Sequence, residues 1–212
     1  MRESRPQILV GLLLIIGGVL FLLQSLGVLP QGSALFWSLA FLTGGGIFLY
    51  VFITRRENWW ALIPAAALLG VAAVIALGAL FPAAADPWAG ACFMALLSLG
   101  FWGVWLSKRE AWWAIVPAGA LLSVSAMIIV GSLLPGELAP LSVLFLGMGL
   151  TFGLLLLVPT PEGRMRWPMV PALVLLLLGA FSAFLFSPSL QLLGPALLIL
   201  GGVLLVVRVL RT

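Results

Sequence analysis

Six carboxylates, one thiol and no imidazole are all that this chain offers for acid–base, nucleophilic or metal chemistry. Glu3, Glu57, Asp86, Glu110, Glu137 and Glu162 are widely spaced along the sequence, each beside a basic cluster or a proline-containing turn. General acid–base catalysis needs a carboxyl pair or a histidine with a positioned partner, and an activated nucleophile needs a base within hydrogen-bond reach. Neither a Ser–Lys pair, a Ser–His pair nor paired carboxylates can be assembled in one layer of this sequence. That argues against an intramembrane protease or a proton-coupled pump. The lack of histidine removes histidine-ligated haem and the common zinc sites, so no cofactor or metal is expected. An enzyme acting on lipids would have to rest on Glu57, Glu110 or Glu162. The reading is therefore non-enzymatic.

What remains in the apolar stretches is a set of hydroxyls, Thr43, Ser98, Ser123, Ser125, Thr151 and Ser182, with Gln24 nearer one end. Such hydroxyls readily bond back to their own helix and carry little functional signal. Cys92, in "WAGACFMALL", reads as a small packing residue or, alternatively, a reactive or lipidated thiol. A single cysteine forms no internal disulfide, so it does not report a redox compartment.

The elements that would hold these groups follow from composition. The chain has 212 residues, of which 64% are hydrophobic and 8% charged, against about 25% charged in an ordinary soluble domain. So apolar a chain belongs in a bilayer, where a span needs ~20 apolar residues. The start, "MRESRPQILVGLLLIIGGVLFLL", has a basic beginning like a signal peptide. Its apolar run is too long for one and lacks a clear cleavage site, which makes it a retained first span. Turn signals divide the chain into eight predicted helices near 7–27, 34–54, 58–81, 87–107, 111–134, 140–158, 167–186 and 190–209. The expected fold is an all-α polytopic membrane protein forming a single membrane domain over 1–212.

Charge orients that domain. All ten basic residues fall in five places: Arg2 and Arg5, Arg55 and Arg56, Lys108 and Arg109, Arg164 and Arg166, and Arg208 and Arg211. These are the two ends and every second loop. The other loops, "GVLPQGS", "FPAAADP", "LPGELAP" and "FSPSL", contain no Lys or Arg. The positive-inside rule then places both ends and the basic loops in the cytoplasm. In "DPW", Asp86 is expected to cap a helix with Pro87 at its first position, or else to touch a substrate or ion at the outer mouth. Ser33 and Ser187 are candidate caps of the same kind.

Two stretches repeat. Residues 55–82 read "RRENWWALIPAAALLGVAAVIALGALFP", and residues 108–135 read "KREAWWAIVPAGALLSVSAMIIVGSLLP", with sixteen of 28 positions identical. Leucine-rich spans can match by chance, but not with Arg, Glu, Trp, Trp and two prolines in register. This is read as an internal duplication, with weaker echoes at 2–18 and 164–181. It divides the chain into four hairpins, 1–54, 55–107, 108–161 and 162–212. Two spans per unit give repeats of one orientation, unlike the inverted repeats of many secondary transporters.

The repeated motif gives the candidate functional residues Arg55, Arg56, Glu57, Trp59 and Trp60, with Lys108, Arg109, Glu110, Trp112 and Trp113. The basic residues would meet anionic headgroups at the cytoplasmic face, and the tryptophans would lie at headgroup level. Glu57 and Glu110 would begin a helix, where negative charge suits the macrodipole. Pro64 and Pro117 would fall up to two turns in and kink it. The motif reads as a membrane anchor or, alternatively, as a cytoplasmic docking surface for a membrane-protein partner. The isoelectric point near 10.7 is explained by these loops and implies no nucleic acid. Gly149 and Gly153 match a GxxxG spacing, for helix packing or for a lipid or solute groove; Gly44–Gly46, Gly17–Gly18 and Gly201–Gly202 are further small-residue sites.

Residues 11–30, "GLLLIIGGVLFLLQSLGVLP", resemble the N-terminal membrane hairpin of LiaF/LiaI-type bacterial envelope-stress proteins in their Gly-rich start, Phe-Leu-Leu step and Leu-Gly before the turn. The resemblance implies a bacterial cell membrane, a sensing or regulatory partner and no catalytic residue. The expected function is a scaffold or accessory subunit in the bacterial inner membrane. The alternative is a transporter or channel for a small apolar or neutral solute, or a lipid.

Overall fold

The computed structural model describes residues 34–134, 140–159 and 165–186, with isolated residues at 18–19, 22–23, 26–27, 163, 195, 198–200 and 208. The expected helices at 7–27 and 190–209, the caps Ser33 and Ser187, and Glu137 and Glu162 lie outside the described stretches. Six long helices follow one another: α1 Ala34–Thr54, α2 Leu62–Leu80, α3 Pro82–Ser107, α4 Ile115–Leu133, α5 Pro140–Leu157 and α6 Met169–Phe186. The fold is all-α. Each helix is apolar around its whole circumference, a pattern that suits lipid or deep burial rather than a water-facing surface. Five of the helical segments, α1 to α5 with the short turns that precede α2 and α4, are long and apolar enough to cross a membrane.

Every helix packs on the one before it and the one after it. The described helices therefore form an open row rather than a closed bundle. The neighbours are antiparallel: Ser38 faces Ala72 and Gly45 faces Ala65 across α1 and α2, so seven residues forward on one helix match seven back on the other. Buried side chains are few and small, with Ala65, Ala66, Ala72, Ala91, Ala114, Ala118 and Ala172 prominent. Small residues let backbones approach where lipid gives no hydrophobic drive between helices.

Two local expectations are corrected. The segment 82–86, read as a loop, is the first part of α3, which begins at Pro82. Proline suits the first helical position because its missing N–H has no partner there anyway, and the alanines that follow are the strongest helix formers. Asp86 thus falls inside the helix and is not its cap. The second correction concerns Pro64 and Pro117. The α-helices begin only at Leu62 and Ile115, each after a single 3-10 turn, Trp59–Ala61 and Trp112–Ala114. Both prolines lie in the first α-helical turn, where no intrahelical bond is lost. Pro64 has no N–H to offer Trp60; the Leu62 N–H serves the Trp59 and Trp60 carbonyls instead.

The backbone enters α2 and α4 in the same conformation. Asn58 has φ −83° and ψ 46° against −80° and 51° at Ala111, and the 3-10 turns and α-helices that follow start and stop 53 residues apart. Asn58 N–H donates to the Arg55 carbonyl at 2.9 Å, as Ala111 N–H does to the Lys108 carbonyl at 2.9 Å. At the far end, Phe81 and Leu134 are both non-helical and precede prolines, because the proline ring disfavours helix in the residue before it.

Candidate functional site

The turn at 55–58 leads from α1 to α2, and the turn at 108–111 leads from α3 to α4. With antiparallel neighbours both must emerge at the same end of the row, and there they adjoin. The Trp59 and Trp113 rings meet edge to face with centroids 6.2 Å apart, and the Lys108 ammonium stands 5.9 Å from the Trp59 ring centre. Trp113 also meets Phe101 at 6.4 Å, and Trp60 meets Phe48 at 6.2 Å in the corresponding place of the first loop. Arg56 lies 4.7 Å over Phe52, and Arg109 lies 4.1 Å over Trp105, four residues back in each case. These contacts are worth about 0.5–1 kcal/mol each where exposed. They also hold the guanidinium groups close to the ring faces.

The paired tryptophans do not share one role. Trp59 is half-buried against the core formed by Phe52, Ala61, Leu62, Val104, Ala111 and Ala114. Trp112 is half-buried against a second core of Ile115, Leu155 and Val158. Trp60 and Trp113 remain 50% and 41% exposed. Adjacent residues in a 3-10 turn point about 120° apart, so one ring turns into the row and the next turns out. Arg55, Arg56, Glu57, Lys108, Arg109 and Glu110 are all exposed. Glu57 and Glu110 lie in the turns and not in a first helical turn. Glu110 pairs with Lys108 at 3.8 Å, a solvent-facing contact of small energy. Met165, in the chain segment before α6, packs on the second core, and Trp167 meets Phe152 at 6.0 Å. The segment carrying Arg166 therefore reaches the same end.

The hydroxyls of Ser38, Ser98 and Ser125 do more than bond their own helix. Ser38 Oγ donates to the Ala72 carbonyl at 2.8 Å, Ser98 Oγ to Ala118 at 2.7 Å and Ser125 Oγ to Ala91 at 2.8 Å, each across to a neighbouring helix. Position 91 is 53 residues beyond 38, and 125 is 53 beyond 72, so one contact recurs with donor and acceptor exchanged. Thr43, Ser123 and Thr151 donate to carbonyls four residues back, as expected. Ser182 Oγ is buried without a partner. The Gly149–Gly153 spacing is only half used: Gly149 seats Leu176 of α6, while Gly153 faces open space. The tighter seam, which the sequence reading missed, pairs Gly119 and Ser123 of α4 with Thr151 and Gly147 of α5. Its signal was present as two small-x-x-x-small spacings.

Grooves open between the described helices, and two of them bear on function. One, of about 490 Å³, lies toward the far end and is lined by Leu77, Phe81, Trp88, Cys92, Ser125 and Ile129 among others. The second, of about 450 Å³, runs between α4 and α5 below Trp102. Among the described residues no group of three or more His, Cys, Asp or Glu comes together to hold a metal ion. No family model, curated protein or solved structure matches the chain. The class that fold and surface define is an all-α protein in which five described helices are of membrane-crossing length and composition. The residues that carry the resemblance over 11–30 lie almost wholly outside the described stretches.

Proposed function

We propose that the chain is a non-enzymatic scaffold or accessory subunit of a bacterial cell membrane, built as four helical hairpins with both ends and all basic loops on the cytoplasmic side. The observation that carries this reading is the open row: each described helix touches its sequence neighbours, and the polar end is formed by adjoining copies of one motif. The shared dihedrals, the matched Phe48–Trp60 and Phe101–Trp113 pairs, and the recurring serine–carbonyl contact support the hairpin duplication. A row leaves long flanks for lipid or for a partner's helices, and the exposed Arg55, Arg56, Lys108 and Arg109 suit anionic headgroups. The bacterial setting and a regulatory partner rest on the resemblance of residues 11–30.

Gentle extraction from the native membrane, followed by mass spectrometry of what co-purifies, tests this. A stoichiometric protein partner supports it. Isolation of the protein without any partner protein counts against it. The anchor and docking roles of the loops separate when Trp59, Trp60, Trp112 and Trp113 are all replaced by leucine. Impaired insertion supports the anchor, and normal insertion with lost partner binding supports docking.

A transporter or channel is the second reading, favoured by the groove that Gly119, Ser123, Gly147 and Thr151 help to line. Against it, the Ser123 and Thr151 hydroxyls are already committed to their own backbones, which leaves little to coordinate a polar solute. Solute flux in proteoliposomes above that of protein-free liposomes would establish it.

A further inference from the structure

The groove between α4 and α5 begins beneath the basic end of the row. Arg109 stacks on Trp105 at 4.1 Å, Trp105 meets Trp102 at 5.7 Å, and Trp102 forms one wall of the groove. An exposed cation is thus joined by two indoles, packed edge to face, to an apolar channel. Leu122, Leu146, Leu150 and Leu154 line its sides, and its volume is about 450 Å³. Its hydroxyls, on Ser123 and Thr151, point their protons at their own helices, so the channel presents almost no polarity. From Leu154 to Val143 it follows eleven residues of α5, ~16 Å at 1.5 Å per residue. One leaflet of a bilayer is ~15 Å deep.

From this combination we infer that the groove holds one acyl chain of an anionic phospholipid, with the lipid phosphate against Arg109. Charge selects the headgroup, since a cation at the interface attracts anionic lipid. Depth and apolarity select a hydrocarbon chain over a soluble phosphate ester. The feature recurs 53 residues earlier in reduced form: Arg56 stacks on Phe52, and a groove of about 210 Å³ lined by Leu49, Ala66 and Leu69 lies between α1, α2 and α3. Leu49 occupies the place of Trp102, and Ala66 that of Gly119. The smaller volume makes the α4–α5 groove the principal site.

The inference rests on the membrane reading above, and the two can fail separately. Protein extracted from membranes by alkaline carbonate sinks the membrane reading. For membrane-retained protein, native mass spectrometry is run on the full chain, purified in mild detergent, with phosphatidylglycerol and phosphatidylcholine of matched chains. The wild type should retain one phosphatidylglycerol in preference to phosphatidylcholine. Arg109→Gln should weaken that preference about fivefold, and Ala126→Phe, which fills the groove, should abolish retention. Glycerol phosphate should not displace the lipid. Equal retention of both lipids by the wild type, or wild-type retention by Ala126→Phe, overturns the inference. Should Ala126→Phe not fold, phosphatidylglycerol with a photoreactive acyl chain decides the matter on the wild type. Labels concentrated on the α4–α5 groove, as at Leu122, Leu150 and Leu154, support it, and labels spread evenly over the six helices overturn it.

Discussion

Thr151 on α5 fills the space that a side chain at Gly119 on α4 would need. The relationship is reciprocal one turn away, where Ser123 on α4 fills the space above Gly147 on α5. Each hydroxyl also donates to a carbonyl of its own helix, Ser123 to Gly119 and Thr151 to Gly147. The two helices therefore lock by shape, and the polar atoms in the seam are satisfied before the helices meet.

A methyl group at Gly119 collides with Thr151. Gly119→Ala should destabilise the α4–α5 pair by about 1–3 kcal/mol, and Thr151→Gly in the same chain should recover part of that loss. A double-mutant cycle followed by SDS-induced unfolding in mixed micelles checks it. Strictly additive effects would sink the claimed contact.

The cross-helix hydroxyls should differ from the self-bonded one. Ser98→Ala and Ser125→Ala each remove a bond between helices and should cost about 0.6 kcal/mol. Ser123→Ala removes a bond within one helix and should cost close to nothing. The ordering of the three unfolding midpoints is the measurement, and a Ser123→Ala loss as large as the others contradicts it.

Trp59 and Trp60 should part company on truncation. Trp59→Ala removes an edge-to-face ring pair and a cation–π contact that join the two loops, worth about 2 kcal/mol together. Trp60→Ala removes a half-exposed ring paired with Phe48 and should cost about half as much. Unfolding of the two variants side by side gives the comparison, and equal losses would refute the division of roles.

Adjoining loops must face the same compartment. In a Cys92→Ser background, Glu57→Cys and Glu110→Cys should react with an impermeant maleimide from one side of sealed vesicles. Phe81→Cys, at the opposite end of α2, should react from the other. Labelling of Glu57→Cys and Glu110→Cys from opposite sides is incompatible with the packing of Trp59 on Trp113.

Cys92 borders an apolar groove together with Phe81 and Trp88. N-ethylmaleimide should modify it, whereas a sulfonated maleimide of similar reactivity should be at least about tenfold slower, because a charge entering apolar surroundings is strongly disfavoured. Equal rates would mean that Cys92 faces water.

Long apolar runs and the placement of prolines and charges determined from sequence alone that the chain is helical, and where the described helices at 34–54, 140–158 and 167–186 lie to within two residues. These are properties of the local chain: an uninterrupted apolar run of about 20 residues admits few structures other than a helix. The same local logic misjudged 82–86, where a proline and an aspartate suggested a turn but alanine propensity with Pro82 at the first position made a helix. It also placed Pro64 and Pro117 too deep, because a 3-10 turn cannot be told from an α-turn by residue type. The motif around Arg55–Trp60 and Lys108–Trp113 was legible as a pattern. Its assembly was not: the meeting of Trp59 with Trp113, the inward and outward division of the tryptophan pairs, and the lock of Gly119 under Thr151 depend on which helix faces come together. Helices that are apolar on every side carry no stripe to announce their contact face. That choice is made by small residues and by serine hydroxyls, such as those of Ser38, Ser98 and Ser125, that find a neighbour's carbonyl, and so by the tertiary structure alone.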